Sequence, residues 1–508
     1  MALAKTISAA FDGVTAFSVT VEAHIGPGLP RTDIVGLGDT AINEARDRIR
    51  TAVKNSDLPW PKTRIIVNLS PANVRKSGAQ CDLALAMAIL GARTATPLEH
   101  TMFLGELGLD GQLKPCCGIL PMLRAAAEVG VKTVVIPRAH AREAELIDTP
   151  SVLVADTLRE VYDWINGSGG LQRISPTEHT AQSSRSTVDL ADIAGQKEAK
   201  HAVEVAAAGG HHLFLVGPAG SGKSMLAAAL PSILPPLSRH QQIETTAAHS
   251  VSTHGCEDII TRPPLIAPHH SVSSAGLIGG GSGKVKLGAI SLSHNGVLFL
   301  DEANAIAASV LDSLRVPLEN GAVVLNRSDK VVTLPARFQL VLAANPCACG
   351  ADSDSACTCS GAARARYLNN ISGPIRDRID VIARTHRVGG VLSDHNSETS
   401  DTVRQRVAVA REIAARRWAP VNPHGCTNAV IPAPLLRRHY AADEEAMAYV
   451  GAFLSAGEIS QRGVDKALRL AWTLRDLDDT GAGAAARPTL DHMARALELR
   501  TEEGKLQR

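Results

Sequence analysis

The chain has 508 residues, enough for two to four domains that each bury their own core. Its 52 Lys and Arg residues almost balance its 51 Asp and Glu residues, so no global basic excess marks it as a nucleic-acid binder. Aromatic residues make up only 3%, which argues against a base-stacking platform, and nine cysteines in so long a chain do not indicate a secreted disulfide scaffold. The N-terminus lacks the apolar core of a signal peptide, and no apolar run approaches the ~20 residues of a membrane span, which predicts a soluble cytoplasmic protein.

The first predicted unit, residues 1–165, mixes short strands with helices. Three runs of β-branched residues predict strands, at residues 15–21, 64–68 and 133–136. Three apolar patterns predict helices, at residues 39–55, 81–92 and 119–129. No nucleotide-binding motif falls in this unit, which we interpret as an α+β domain.

Two breaks in the pattern divide the rest of the chain. Residues 166–188 are rich in Gly, Ser and Thr and predict a linker to a second domain, residues 189–388. A second break at residues 389–400 precedes a helical end, residues 401–508. Four helices are predicted there, at residues 403–418, 434–454, 460–477 and 489–503.

The second domain contains a phosphate-binding loop. Its eight residues are Gly217, Pro218, Ala219, Gly220, Ser221, Gly222, Lys223 and Ser224, which fit G-x-x-x-x-G-K-[ST] at every fixed position. An apolar run leads into the loop and predicts a buried parallel strand, and a helical pattern follows it. In this context the backbone N–H groups and the helix N-terminus face phosphates. We expect Lys223 to reach the β- and γ-phosphates and Ser224 to ligate Mg²⁺.

A carboxylate pair follows a second apolar strand at residues 296–302. Asp301, at the end of the strand, is placed to hold Mg²⁺, usually through water. Glu302 is placed to polarise the attacking water as a general base. An apolar run followed by Asp-Glu is common by itself, but downstream of a complete phosphate-binding loop it indicates nucleotide hydrolysis.

Three further residues fit hydrolysis between subunits. Asn345 ends a third apolar strand, where it can orient water near the γ-phosphate. Arg378, just before a strand, suits an arginine finger that reaches a neighbouring subunit, with Arg376 as the reserve and a surface salt bridge as the alternative. Arg462, near the start of a helix in the helical end, is a candidate to tie lid motion to hydrolysis. Arg469 and Arg475 are also available for that role.

The chain resembles a known family over nearly its whole length. In the second domain the motifs that carry the likeness are residues 192–200, 206–212, 217–224, 267–273, 279–281, 290–296 and 372–374. In the first domain they are residues 36–39, 68–73 and 76–83. With these motifs the chain resembles the YifB/ComM group of magnesium-chelatase-type AAA+ ATPases.

The resemblance implies an α/β multidomain protein with a Lon-protease-like α+β N-terminal domain, an AAA+ P-loop α/β core and a C-terminal helical lid. It also implies a hexameric ring that uses ATP and Mg²⁺, with Asn345 as sensor one and Arg462 as sensor two. ComM proteins act as DNA helicases in branch migration during natural transformation. The partners implied are single-stranded or branched DNA and further copies of the chain, without a membrane.

The first domain departs from the proteolytic members of the Lon-like group. Those carry a catalytic Ser after a Lys-x-Gly turn, whereas here the matching stretch has Gln80 or Cys81 at that place. Lys76 and Ser77 are neighbours in sequence, and neighbouring side chains tend to point apart, so they make a poor dyad. We therefore predict a non-proteolytic domain that serves assembly or DNA contact.

Two basic segments are candidates for DNA contact. Residues 322–334 predict a hairpin in which Arg327 and Lys330 would grip the phosphate backbone from the pore of a ring. The Gly-rich segment 279–286 offers Lys284 and Lys286 in a second pore loop. For both segments a solvated surface turn remains the alternative.

Four thiols follow Asn345 within a short stretch: Cys347, Cys349, Cys357 and Cys359. Four thiolates suit tetrahedral Zn²⁺, although their C-x-C spacing is tighter than the usual C-x₂₋₄-C. Zinc there would be structural, because no coordination position is left for water. A loop with free thiols in a reducing cytosol remains the alternative. The pair His269 and His270 favours a structural or pore-loop role.

The sequence thus favours a ring-forming AAA+ ATPase that couples ATP hydrolysis to movement on DNA. Three rivals stay open: the ATPase motor subunit of a magnesium chelatase, a regulator related to ATP-dependent proteases, and a DNA-binding scaffold with a degenerate ATPase. DNA-dependent hydrolysis and strand displacement would separate them.

Overall fold

The computed structural model describes most of the chain. The described residues are 2–12, 15–36, 40–71, 78–92, 98–179, 188–252, 258–281, 286–326, 331–351, 357–387, 397–422, 426–479 and 486–500. No helix in those ranges has both the length and the apolar character needed to cross a lipid bilayer.

The first domain is built on a mixed sheet. Its described strands are β1 (Ala2–Asp12), β2 (Thr15–Gly26), β3 (Arg31–Val35), β4 (Arg64–Ser70), β5 (Thr101–Phe103), β6 (Glu106–Leu107), β7 (Leu113–Lys114), β8 (Thr133–Pro137), β9 (Ser151–Ala155) and β10 (Gln172–Ile174). Its described helices are α1 (Thr40–Asn55), α2 (Asp82–Gly91), α3 (Ile119–Glu128), α4 (Ala141–Ala144) and α5 (Leu158–Ile165). Among these elements the main sheet has the order β10-β9-β8-β5-β1-β2-β4-β3. Every residue of α2 is buried; residues 83–90 are apolar, and the carboxylate of Asp82 at the start of the helix is paired with Arg48 at 2.9 Å.

One strand lies inside the predicted linker. Gln172 pairs with Val154, so β10 extends the first sheet antiparallel to β9 within residues 166–188. The first domain therefore continues past residue 165. A three-residue edge strand is too short to show the alternation that predicts strands, and pairing with β9 is what orders it.

The second domain contains a parallel sheet with helices around it. Its described strands are β11 (Leu213–Val216), β12 (Leu265–Ile266), β13 (Gly279–Gly280), β14 (Lys286–Leu287), β15 (Val297–Leu300), β16 (Ala322–Asn326), β17 (Val331–Pro335), β18 (Gln339–Ala344) and β19 (Val381–Arg384). Its described helices are α6 (Lys197–Gly209), α7 (Lys223–Ile233), α8 (Arg239–Ser250), α9 (Ser274–Ile278), α10 (Ala289–Leu292), α11 (Ala308–Asp312), α12 (Arg315–Asn320), α13 (Gly361–Asn369) and α14 (Gly373–Arg376). In the described residues the parallel sheet has the order β12-β15-β18-β11-β19, so the strand ends that carry polar residues meet at one edge.

The C-terminal part is helical. Its described helices are α15 (Ser400–Trp418), α16 (Ala433–His439), α17 (Glu444–Ser455), α18 (Gln461–Leu477) and α19 (Leu490–Glu498). The single helix predicted at residues 434–454 is wrong, because α16 ends at His439 and Asp443 caps α17 by accepting a hydrogen bond from the Ala446 N–H. The helix predicted to reach residue 503 ends at Glu498.

The helical part packs on the parallel sheet through one continuous core. Buried residues of α6, β11, α15 and α18 belong to the same apolar cluster. Asp380 adds a buried polar link, since its carboxylate lies 2.9 Å from Lys466 Nζ and accepts a hydrogen bond from the His212 N–H at 3.1 Å. The predicted combination of a mixed α/β multidomain chain, a parallel-sheet core and a helical C-terminus is confirmed.

Candidate active site

The phosphate-binding loop lies between β11 and α7, at the carboxyl edge of the parallel sheet. Gly222 has φ +88°, a left-handed conformation that side-chain-bearing residues rarely adopt. A Cβ on Gly217 would lie 2.1 Å from Thr385 Oγ1, so only glycine lets the loop pass this close to the residue after β19. The glycine positions therefore follow from the backbone path.

Lys223 is the centre of the hydrogen bonds in the loop. Its Nζ donates to the carbonyls of Gly217 at 2.7 Å and Pro218 at 2.8 Å, and to Asn345 Oδ1 at 3.0 Å. These three bonds use every donor of the ammonium group. Burial lowers the pKa of Lys223, and the negative charge of Asp301 opposes that shift.

Ser224 and Asp301 come together on the other side of the loop. The Ser224 hydroxyl donates to Asp301 Oδ2 at 2.6 Å, and Asp301 Oδ1 accepts from the Glu302 N–H at 2.8 Å. Hydroxyl and carboxylate oxygens are the ligand types that Mg²⁺ prefers in proteins. The pair therefore fits the predicted magnesium site by its donor chemistry.

Glu302 is held in a strained conformation. Its φ of +48° is in the left-handed region, which is uncommon for a residue other than glycine and recurs at functional sites. Its Oε2 lies 3.3 Å from Nδ1 of His270, which follows β12, the neighbour of β15 in the sheet. The sequence analysis predicted a structural or pore-loop role for His270 and did not predict its contact with Glu302. The available signal was that His270 is a polar residue following a strand adjacent to β15.

The predicted arginines bond to carboxylates outside this group of contacts. Arg378 pairs with Glu319 and donates to the Pro374 carbonyl at 2.8 Å. Arg462 donates to Asp377 Oδ2 at 3.0 Å, and its side chain is 70% exposed. The structure thus brings Lys223, Asn345, Ser224 and Asp301 into one neighbourhood, and it places Arg378 and Arg462 in other ion pairs.

Arg469 and Arg475, the other two candidates for coupling lid motion to hydrolysis, make hydrogen bonds and ion pairs within the helical part. Arg469 donates twice to the Ile431 carbonyl, from Nε at 2.9 Å and from Nη2 at 2.7 Å. Arg475 is buried and lies 3.2 Å from Asp476. Arg462, by contrast, donates to Asp377 of the second domain.

A layer of polar residues behind the loop escaped the sequence analysis. The Ser221 and Thr385 hydroxyls are 2.6 Å apart, and Arg387 Nε donates to the Ala219 carbonyl at 3.0 Å. Gln196, with φ +56°, donates from Nε2 to the Ser221 carbonyl at 3.2 Å. Contacts between positions so far apart in the chain leave no local pattern.

The four cysteines after Asn345 converge. Their Sγ atoms all lie within 4.8 Å of one another, with Cys347 and Cys349 at 3.0 Å, Cys357 and Cys347 at 3.5 Å, and Cys359 completing the group. Tetrahedral zinc with Zn–S bonds of about 2.3 Å needs sulfur atoms about 3.8 Å apart. The 3.0 Å between Cys347 and Cys349 is shorter than that, so these two thiols would have to move apart, but thiolate softness and the gathering of all four sulfur atoms within 4.8 Å suit such an ion.

Tyr367 is close enough to both Glu302 and Cys347 to interact with them electrostatically. Burial raises the pKa of Tyr367, and the negative charges of Glu302 and the Cys347 thiolate add to the rise. Gly350 approaches the phosphate-binding loop, because a Cβ built on it would be 3.8 Å from the Ala219 Cβ. The segment that carries the cluster is therefore next to the predicted phosphate-binding loop.

The predicted DNA contacts are largely outside the described part of the chain. Lys284, Arg327 and Lys330 are not among the described residues, whereas Lys286 is exposed in β14. The hairpin strands β16 and β17 pair antiparallel with Asn326 opposite Val331. In the first domain Lys76 and Ser77 also lie outside the described residues. The Cys81 thiol is buried and 3.6 Å from the Ala9 carbonyl oxygen.

Three family models match the chain in succession. The model described as subunit ChlI of Mg-chelatase matches residues 21–140. The one described as magnesium chelatase, subunit ChlI, matches residues 189–391. The one described as magnesium chelatase, subunit ChlI C-terminal, matches residues 397–500.

Full-length relatives match almost end to end. An uncharacterised protein of Mycobacterium tuberculosis strain H37Rv is 47% identical, covering 98% of this chain and 99% of its own. The uncharacterised protein YifB of Escherichia coli K12 is 37% identical over 92% of both chains. Competence protein ComM of Haemophilus influenzae is 36% identical over 100% of this chain and 99% of its own. A partial match, 26% identical over 34% of this chain, is to Lon protease 2 of Thermus thermophilus.

Proposed function

Because this chain belongs to the YifB/ComM family of magnesium-chelatase-like AAA+ proteins, we propose that it is an ATP-hydrolysing, ring-forming motor that moves on DNA. The observation that carries the ATPase part is the meeting of Lys223, Asn345, Ser224 and Asp301 at one edge of the parallel sheet. Such a group provides a cation for phosphates, oxygen ligands for a metal and an amide that can orient water.

Each residue in the proposed mechanism has a separate task. The loop backbone binds the phosphates, and Lys223 reaches the β- and γ-phosphates by exchanging its hydrogen bonds to the Gly217 and Pro218 carbonyls for phosphate oxygens. Ser224 and Asp301 hold Mg²⁺, which neutralises charge on the phosphates when bound. Glu302 takes the proton of the attacking water, with His270 orienting its carboxylate. Asn345 holds that water near the γ-phosphate while it accepts from Lys223.

The proposed ring supplies the remaining charge. Arg378 would leave Glu319 to reach the γ-phosphate in a neighbouring subunit, where its planar guanidinium stabilises the transferred group. Arg462 would report lid position to the second domain through Asp377. We propose a hexamer, with domains at residues 1–165, 189–388 and 401–508, except that β10 belongs to the first.

The DNA part of the proposal is supported by the ComM relative and by the paired hairpin strands. Competence protein ComM aligns with the whole chain, and β16 and β17 pair antiparallel on either side of the segment whose sequence contains Arg327 and Lys330. The proposed substrate is single-stranded or branched DNA, and the activity is that of a helicase or branch-migration factor. The first domain would be Lon-like and non-proteolytic, since the Cys81 thiol is buried against the Ala9 carbonyl.

We also propose that Cys347, Cys349, Cys357 and Cys359 hold a structural Zn²⁺. Four converging thiols leave no ligand position for water, so the ion would order the segment after Asn345 and take no part in the reaction.

A second candidate function is the motor of a metal-insertion enzyme. The names of the three family models favour it, since all refer to a magnesium chelatase subunit. This function predicts that partner subunits change the rate of ATP hydrolysis and that added DNA does not.

The experiment that separates these functions measures ATP hydrolysis with no DNA, with single-stranded DNA, with duplex DNA and with a four-way junction. The proposal expects stimulation by single-stranded or branched DNA and ATP-dependent strand displacement. Lys223→Ala should abolish both, while Lys132→Ala, on the first domain's exposed surface, should change neither. Hydrolysis without stimulation or displacement would refute the DNA part, and a Lys223→Ala protein as fast as wild type would refute the ATPase part.

A further inference from the structure

The first half of the cysteine cluster is attached to the candidate active site. Cys347 is only two positions beyond Asn345, and it is 2% exposed. Asn345 in turn accepts the hydrogen bond from Lys223 Nζ at 3.0 Å. A displacement of the backbone at Cys347 therefore moves the amide that contacts the phosphate-binding lysine.

The second half is attached to α13. Cys357 and Cys359 directly precede this helix, whose N-cap Ser360 accepts a hydrogen bond from the Ala363 N–H. Just beyond the helix, Asn370 Nδ2 donates to the carbonyls of Asn304 and Ile306, both at 2.8 Å. Those carbonyls belong to the segment that follows Glu302. The helix is thus fixed at its far end to the chain that carries the candidate general base.

A few residues later the same path reaches the candidate arginines. The Ser372 hydroxyl donates to Asp312 Oδ1 at 2.7 Å and accepts from Arg315 Nη2 at 3.2 Å. Ser372 opens α14, which ends at Arg376, two positions before Arg378. The cysteines therefore join the end of β18, which carries Asn345, to the element that leads to the arginine finger.

We propose that a tetrahedral thiophilic metal ion, Zn²⁺ by its ligand set, clamps the end of β18 to α13 and thereby sets the rate of ATP hydrolysis. The inference rests on the proposed ATPase function. Thiols are weak hydrogen-bond donors and acceptors, so four of them hold two elements together poorly without a metal. Metal–thiolate bonds fix the position of each sulfur, and with it the geometry of Asn345 and α13. Loss of the ion should slow hydrolysis much more than it weakens ATP binding, because the phosphate-binding loop itself is untouched.

The test compares the wild-type chain with Cys357→Ser/Cys359→Ser, with Cys359→His and with the exposed thiol control Cys117→Ser. Each protein is purified with Zn²⁺ as the only added metal. The measurements are metal content by mass spectrometry, affinity for a fluorescent ATP analogue, kcat, and hydrogen exchange over residues 339–351 and 361–370. Histidine is a zinc ligand, so Cys359→His keeps the site chemically competent.

The expected result is one zinc per chain in wild type, Cys117→Ser and Cys359→His, and less than about a tenth in the double variant. The double variant should bind the ATP analogue within about threefold of wild type, have kcat lowered at least tenfold, and exchange faster over both segments. A wild-type chain without metal would overturn the proposal. So would a metal-free double variant with wild-type kcat and exchange.

Failure of the ATPase proposal is distinguishable from failure of the clamp. If wild type binds the ATP analogue but does not hydrolyse ATP, the proposed function is wrong. The clamp is then tested by hydrogen exchange alone. Faster exchange in both segments on metal loss then supports the clamp, and unchanged exchange refutes it.

Discussion

The buried carboxylate of Asp380 is the most informative place to perturb the contact between the second domain and the helical part. Its side chain and that of Lys466 are 9% and 11% exposed, and the two lie 2.9 Å apart. Asp380→Asn keeps the volume but removes the countercharge, which leaves a buried ammonium unpaired. Breaking a buried pair in this way costs about 3–5 kcal/mol.

That cost converts into a clear shift of the unfolding temperature. For domains of this size 1 kcal/mol corresponds to roughly 2–4 °C, so Asp380→Asn should lower the unfolding midpoint by about 6–20 °C. The assay is thermal unfolding followed by tryptophan fluorescence, because Trp418 and Trp472 are buried in the helical part. Asp380→Asn combined with Lys466→Met should recover part of the loss, since the unpaired ammonium is then gone.

The pH dependence follows from the same pair. Burial raises the pKa of Asp380, but the positive charge of Lys466, 2.9 Å away, outweighs that effect, and the net pKa lies well below the ordinary value. A carboxyl with a depressed native pKa contributes stability above its unfolded pKa and loses it as the pH falls through the native one. The difference in unfolding temperature between wild type and Asp380→Asn should therefore be the same at pH 7 and pH 5, and it should become smaller only below about pH 4. The reasoning would be refuted if Asp380→Asn lowered the unfolding temperature by less than about 2 °C at pH 7. It would also be refuted if adding Lys466→Met to Asp380→Asn gave no increase in stability.

Three further predictions concern the active site. Glu302→Gln should keep ATP binding and lower kcat at least ~100-fold, as removal of a general base does; a smaller loss measured by steady-state hydrolysis would rule out that role. His270→Ala should lower kcat about tenfold without changing affinity, whereas His269→Ala, one residue away, should be near wild type; equal effects would assign both histidines a structural role. Arg378→Ala should be inactive alone and regain hydrolysis when mixed with Lys223→Ala, because each subunit supplies what the other lacks. No recovery in mixed assemblies would contradict a finger acting between subunits.

The features that sequence patterns could indicate are those encoded locally. The phosphate-binding loop needs glycines at fixed places, and Asp301 and Asn345 each follow an apolar strand of the parallel sheet. Parallel strands of one sheet end at the same edge, so the neighbourhood of these residues followed from pattern alone. Their chemical roles stay predictions until hydrolysis is measured.

The features that the sequence missed depend on distant partners. β10 exists because β9 offers an unpaired edge, and the break between α16 and α17 comes where Tyr440 packs against Trp418 and Trp472. His270 reaches Glu302 only because β12 lies beside β15. No window of neighbouring residues contains that information, which is why propensity and periodicity did not find it.

The hydrogen bond from the Ile382 N–H to the Leu499 carbonyl at 2.8 Å has a consequence for synthesis on the ribosome. β19 is the edge strand of the parallel sheet, and an uncovered edge is a template for pairing with other chains. Leu499 follows α19, so the cap on this edge leaves the ribosome long after the strand it protects. During that interval the nascent chain exposes the β19 edge without this cap, so the order of translation leaves the strand open to pairing with other chains or to binding by a chaperone.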